Sequence, residues 1–348
     1  MPDNRPIEEA HPELLHYTSA KGLVGILRSQ SLWGTHWQHL NDAGELRHFS
    51  EKLPSLLKAG RIALAEKLAR TNDGFKEWVD RLGGIENVVD KEVQGLVEVF
   101  QESFAHPDPA RQIFEFYVTS FCTPEGAFEE VRTHGLLSMW RYYGAGGYAL
   151  VFDTAALVDL LREEASAWPA RIIFGDVGYS CDPPDVLDTR INALPELRKI
   201  LSETALDSQD AFEKMLEPLM SCFIYYKHWA FAEEREVRLT TILNGEQMRT
   251  INAQEGTTWR ERERHTHCGA PRIHLLEDIG YRLPIKRVIV GPGSYQNIRE
   301  SELKALLEEL NLDIPVVLSN IPLRLSLTNQ ADEEVCCRND YTVAPSRE

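Results

Sequence analysis

Residues 46–105 carry a helical pattern without a strand-like break, whereas the stretches around them are short, β-branched and alternating. That clustering constrains the fold more than any other feature. A doubly wound α/β chain alternates strand with helix, and this chain does not. A second helical block is expected over about 194–232. Helices gathered in blocks around short strands predict an α+β fold, with a mixed, mostly short-stranded sheet carrying helical insertions. No long linker interrupts the pattern. The reading is one composite domain over 11–325, followed by a polar tail at 326–348.

Local signals place the elements. Thr18 or Ser19 caps a helix over Ala20–Ser29, whose Leu23, Ile26 and Leu27 form one apolar stripe. Strands are expected at His16–Thr18, over residues 31–35, at Phe114–Phe121, at Tyr148–Asp153 and over 171–180. Asp153 or Thr154 caps the helix that follows at 154–165. Pro107, Asp108 and Pro109 close the first helical block. A strand over 282–290, a helix over 300–310 and a strand over 314–318 complete the pattern. Gly144, Gly146 and Gly147 lie after a helix and before a strand. That order is opposite to a dinucleotide phosphate loop and excludes a Rossmann reading.

Composition narrows the partners. Hydrophobic residues make up 43% and charged residues 26%, with a net charge of −17, which indicates a globular protein without a global field for nucleic acid. Six scattered cysteines, no apolar run long enough for a bilayer and no signal-peptide core predict a soluble cytoplasmic protein.

The densest chemistry is at Glu234, Glu236 and Arg238. Residues 236–242 read as a strand, and the aromatic run 225–233 before them as a buried helix. Side chains two apart share a strand face, so the three would project together while Val237 and Leu239 enter the core. They suit either a catalytic acid cluster or a structural ion-pair ladder. His16 is either a buried, hydrogen-bonded histidine or a ring facing a cleft. Trp140, Tyr142 and Tyr143 serve either as core or as a stacking platform. Asn41 and Asp42 read as a helix N-cap with Glu45 at the capping-box position, or as a polar loop facing substrate. His36, His39, Asp42, Glu45 and His48 recur every third residue, but capping accounts for Asp42 and Glu45 without an ion. His265, His267 and Cys268 have no second ligand pair at zinc spacing. No metal site is therefore expected. Cys122 lies on an apolar strand and reads as an inert thiol.

Several segments together resemble DUF2971, a bacterial domain family of unknown function: His16–Thr18, Asn41-Asp42-x-x-Glu45, Ser120–Cys122, Met139-Trp140-x-x-Tyr143, Gly147 through Asp153, Lys227-x-Trp229 before Glu234-x-Glu236-x-Arg238, and Val288–Pro292. They cover most of 14–325 in the family's order. The order of strands is also similar to that of ADP-ribosyltransferases, including the DarT-type DNA-modifying toxins. That resemblance implies an ADP-ribosyltransferase-like fold using NAD, with an unknown macromolecular acceptor and a toxin or defence role. It implies that His16 contacts the nicotinamide ribose, with Tyr17, Thr18 and Ser120 beside it, and that Tyr142 or Tyr143 stacks on the nicotinamide. Glu236, or Glu234, would then steady an oxocarbenium-like transition state. The chain departs from those enzymes in lacking a Tyr-x-x-x-Tyr helix and a first-strand arginine.

Three classes follow from these readings. One is an NAD-consuming transferase acting through Glu236, which needs a carboxylate held in a cleft. Another is a metal-dependent hydrolase or nuclease, with Asp42, Glu45, Glu234 and Glu236 as oxygen ligands. The third is a non-catalytic binding module whose acids and Arg238 are architectural.

Overall fold

The protein is described by a computed structural model covering residues 5–40, 45–105, 114–126, 129–142, 147–167, 171–180, 219–220, 223–244, 265–267, 270–277 and 280–323. In chain order its first elements are α1 (Ile7–Ala10), β1 (Glu13–Thr18), α2 (Ala20–Ser29), β2 (Leu32–His36), α3 (Glu45–Thr71), α4 (Asp73–Arg81), α5 (Ile85–Ala105) and β3 (Phe114–Cys122). Next come α6 (Glu129–His134), α7 (Leu137–Tyr142), β4 (Tyr148–Asp153), α8 (Thr154–Ala167), β5 (Arg171–Asp176), β6 (Gly178–Ser180), β7 (Tyr226–His228) and β8 (Glu236–Asn244). The last are β9 (His265–His267), β10 (Ala270–Leu275), β11 (Ile285–Val290), α9 (Gln296–Glu309) and β12 (Val316–Leu318). The blocked helices and the mixed strand pairing make this an α+β protein, as the sequence predicts.

The described residues divide into two compact units, one drawn from the 40–118 and 165–260 stretches, the other from 7–39, 119–164 and 261–323. In the second unit β4 is buried along most of its length and pairs antiparallel with β1 on one side and β11 on the other. The α9 crossover returns the chain to β12, which lies parallel to β11. This parallel pair beside antiparallel neighbours makes the sheet mixed. Alternation divides the faces. Leu15, Tyr17, Cys122, Ala149, Val151 and Ile289 enter one buried cluster with Met139 and Trp140 of α7. Leu14 and Phe152 are register partners with the opposite parity, and both are fully buried.

Capping proceeds as the sequence indicates. Ser19 Oγ accepts from the Gly22 N–H at 3.2 Å, and Leu23, Ile26 and Leu27 form the buried stripe of α2. At α8 the cap is Asp153, whose Oδ1 accepts from the Ala156 N–H at 3.1 Å. Glu13 ties β1 to β11 through paired bonds from Arg287 at 3.0 and 2.9 Å, with Lys286 at 2.8 Å. Those cations hold the Glu13 carboxyl down at about 2, the Arg287 hydrogen bond acting most strongly.

In the first unit the helical block resolves into α3, α4 and α5. Asn72 breaks it once, accepting from the Phe75 N–H at 3.0 Å, and Gly83 and Gly84 break it again at positive φ. Leu53, Leu57 and Leu64 of α3 are buried, as are Val89, Val93 and Phe100 of α5, at the three- and four-residue spacing that faces one helix onto another. Arg61, itself buried, ion-pairs with Glu92 between the two helices. β8 pairs antiparallel with β5, in register from Arg171 opposite Ile242 to Asp176 opposite Val237, and also pairs with β3.

One expectation is corrected here. The aromatic run does not form a helix: Tyr226–His228 is strand β7, parallel to β6, and Trp229–Glu234 is a tight 3-10 turn. Aromatic side chains suit a pleated surface as well as a helix, and tertiary pairing decides between them. His228 starts the turn, its Nδ1 accepting from the Ala230 N–H at 3.2 Å, and Arg235 ends it in the left-handed region at φ 47°. Of the second helical block, only 219–220 and 223–232 are described, with Leu219–Met220 and Phe223–Ile224 helical.

Candidate functional site

The acid–arginine segment folds into a buried ion network within the first unit. β7 places Lys227 so that its ammonium donates to Glu234 Oε2 at 2.7 Å and Glu236 Oε2 at 3.0 Å. Arg238, next on the same face of β8 as Glu236, donates through Nε to Oε1 at 2.9 Å and through Nη2 to Oε2 at 3.2 Å. Its Nη1 donates to the Ile224 carbonyl at 2.7 Å. The Glu236 backbone N–H donates to the Tyr179 hydroxyl at 2.7 Å. Phe231 lies under the Lys227 ammonium, 4.8 Å from ring centroid to nitrogen.

Among the described residues the network sets two acids against two bases, and none exposes more than 8% of its surface. An unpaired charge at such a depth would cost several kcal/mol, so this balance is a condition of burial. Burial by itself pulls the Lys227 pKa down, but Glu236 and then Glu234 outweigh it and raise it well above 10.5. Burial likewise raises the Tyr179 hydroxyl far above its ordinary range, so it stays protonated. Glu234 is not on the strand as expected. It closes the turn, and the left-handed Arg235 swings it back toward the ammonium.

Other sequence candidates have separate settings. His16, Tyr17, Thr18, Ser120, Trp140 and Tyr142 belong to the second unit, and Glu234, Glu236 and Arg238 to the first. His16 Nδ1 lies 2.9 Å from the Ser120 carbonyl, which can only accept, so Nδ1 carries the proton and Nε2 is the acceptor. Burial lowers the His16 pKa from 6.5 and favours that neutral form. Tyr17 is buried edge-on against Trp140, with ring centroids 4.8 Å apart, and its hydroxyl accepts from the Leu136 N–H at 2.7 Å. The fully buried Trp140 donates to the His134 carbonyl at 2.9 Å. Tyr17 and Trp140 are therefore core residues. Tyr142 is 80% exposed, whereas Thr18 is half-buried at the end of β1. Tyr143, Asn41 and Asp42 lie outside the described residues, as does the Glu45 side chain, although α3 begins at Glu45. Among the described residues no three His, Cys, Asp or Glu side chains are grouped to hold a metal. Nor is any helix among them long and apolar enough to cross a membrane.

Sequence reasoning missed Lys227 and Tyr179 as members of the network. The available signal was a lysine inside an aromatic run, where a charge needs a buried partner.

The fold and site thus define an α+β protein whose best-defined polar cluster, among the described residues, is the buried ion network of Lys227, Glu234, Glu236 and Arg238. Residues 139–239 match the family model described as "Protein of unknown function (DUF2971)". The match runs from Met139 through β4 to Leu239, so it takes in Trp140 and all four network residues. Searches of the curated proteins and of the solved structures found no match.

Proposed function

We propose that this chain is a binding module in which the acid–arginine strand is architectural. The observation that carries the reading is the state of Glu236: both its oxygens accept from Arg238, one of them also from Lys227, and 5% of its surface is exposed. A carboxylate that stabilises a developing cation must aim its charge at the reacting atom. Here two resident cations already take up that charge. Breaking such a pair costs more than making it returns, so its value is in fixing backbone positions.

A second reading is NAD-dependent ADP-ribosyl transfer in the cytoplasm, with Glu236 catalytic and Glu234 positioning. One observation favours it: the tautomer of His16 leaves Nε2 as an acceptor on a half-buried ring, which suits a ribose hydroxyl. An NAD-glycohydrolase assay on wild type and Glu236→Gln separates the two. The architectural reading expects no turnover by wild type and a lower melting temperature for the variant. Turnover by wild type that is lost in a variant of unchanged stability would overturn it.

A further inference from the structure

We propose that the turn Trp229–Glu234 is a recognition loop whose Trp229 receives a cationic side chain from a basic protein partner. The inference rests on the binding-module reading and names its surface. The turn is clasped at its base. Lys227 precedes it and Glu234 is its last residue, and their 2.7 Å ion pair joins the two ends in a buried setting. His228 caps the entry through the Ala230 N–H, and the Arg235 N–H closes the exit onto the Ala232 carbonyl at 3.3 Å. Lys227 lies over Phe231 and holds the middle of the turn to the same anchor.

A rigid six-residue turn with this many internal ties presents its outer residues in one arrangement. Those outer residues are Trp229, Ala230, Ala232 and Glu233, and Trp229 exposes 52% of its surface. The His228 ring backs the indole, with centroids 5.5 Å apart. The alanines put no bulk beside it. Large aromatic surface held rigid and wet is what binding hot spots are made from, because little side-chain entropy remains to be lost. The network ties the turn at its base and leaves the Trp229 indole half exposed.

Charge selects the occupant. The chain carries −17, and exposed Glu233 stands four residues from Trp229 in the same turn. An exposed indole face attracts a guanidinium or ammonium by its quadrupole, and the negative charge of the chain adds to that attraction. The same field repels phosphates, which disfavours nucleic acid. Arginine paired with tryptophan is also a favoured combination at protein interfaces.

The test uses the full chain and a synthetic peptide of alternating arginine and glycine. Its controls are the citrulline counterpart, which has no charge, and AMP, which offers a nucleobase. Binding is followed at the Trp229 indole N–H resonance, assigned with Trp229→Phe. The arginine peptide should shift that resonance and the citrulline peptide should not. Trp229→Ala should weaken binding about tenfold. Trp78→Ala removes another exposed tryptophan of the same unit, 43% exposed, and should leave binding unchanged. Equal binding by Trp229→Ala and wild type overturns the proposal, as does a Trp229 shift caused by AMP instead of the arginine peptide. Neither outcome touches the architectural reading of Glu236, which stands or falls on NAD turnover.

Discussion

Lys227→Met is the most informative perturbation of this fold. Methionine keeps the length and apolar stem of lysine over Phe231 and deletes the ammonium. That nitrogen sits 2.7 Å from Glu234 and 3.0 Å from Glu236, with 5% of the residue exposed. Its loss leaves two buried carboxylates short of the cation they share. Removing one partner of a buried ion pair costs about 3–5 kcal/mol, most of it the burden of the charge left behind. At about 2–4 °C per kcal/mol for a domain of 150–250 residues, the melting temperature should fall by about 6–20 °C. The ammonium's pKa is raised above 10.5, so its contribution is complete below that pH and fades only as pH climbs beyond it. The double variant Lys227→Met/Glu234→Gln removes one of the two carboxylates and should recover roughly 2 kcal/mol of the loss. Urea unfolding followed by circular dichroism at pH 7 measures both. A single variant within about 1 kcal/mol of wild type would refute the claim that the ammonium holds the turn. A double variant no more stable than the single would show that the loss came from packing and not from charge.

Glu13 gives an acid-range prediction. Arg287 and Lys286 hold its carboxyl at about 2, below the ordinary 4.5, so its stabilisation is present above 4.5 and is lost as pH falls toward 2. Glu13→Gln should therefore cost up to about 3 kcal/mol at pH 7, less near the exposed Lys286, and flatten that acid limb in urea melts. The His16 ring should titrate below 6.5 by NMR. Its burial as the neutral form favours folding above that pH and loses this advantage as pH drops, so a midpoint at or above 6.5 would contradict the assigned geometry. Gly291→Ala sets a new Cβ 2.8 Å from the Gly147 carbonyl and 2.9 Å from the Trp140 ring, neither of which can give way easily, and should cost about 1–3 kcal/mol. Gly22→Ala meets only the Thr18 hydroxyl, which can rotate away, and gains helix propensity, so it should stay within about 1 kcal/mol of wild type by thermal melt. A reversed order of the two glycine variants would refute the packing argument.

Local physics was legible in the sequence. The Ser19 cap and the Leu23, Ile26, Leu27 stripe are set by neighbours three and four residues away, and the structure has them as expected. The same holds for the strand 148–153, for Asp153 as a cap and for the pairing of Glu236 with Arg238 two residues on. The blocked helices were enough to set the α+β class. What the sequence could not decide was everything that depends on a partner brought from elsewhere in the chain. Aromatic residues 225–233 satisfy helix and strand preferences alike, and the pairing of β7 with β6 chose strand and turn. Lys227 entered only as part of that run and of the Lys227-x-Trp229 motif, with no ion partner assigned to it. Only folding could show that β7, the turn and β8 bring its ammonium to both carboxylates, because the left-handed bend at Arg235 carries Glu234 off the strand face where simple alternation had placed it. Side-chain periodicity reports which way a residue points from its own element, and tertiary structure alone determines which charges meet there.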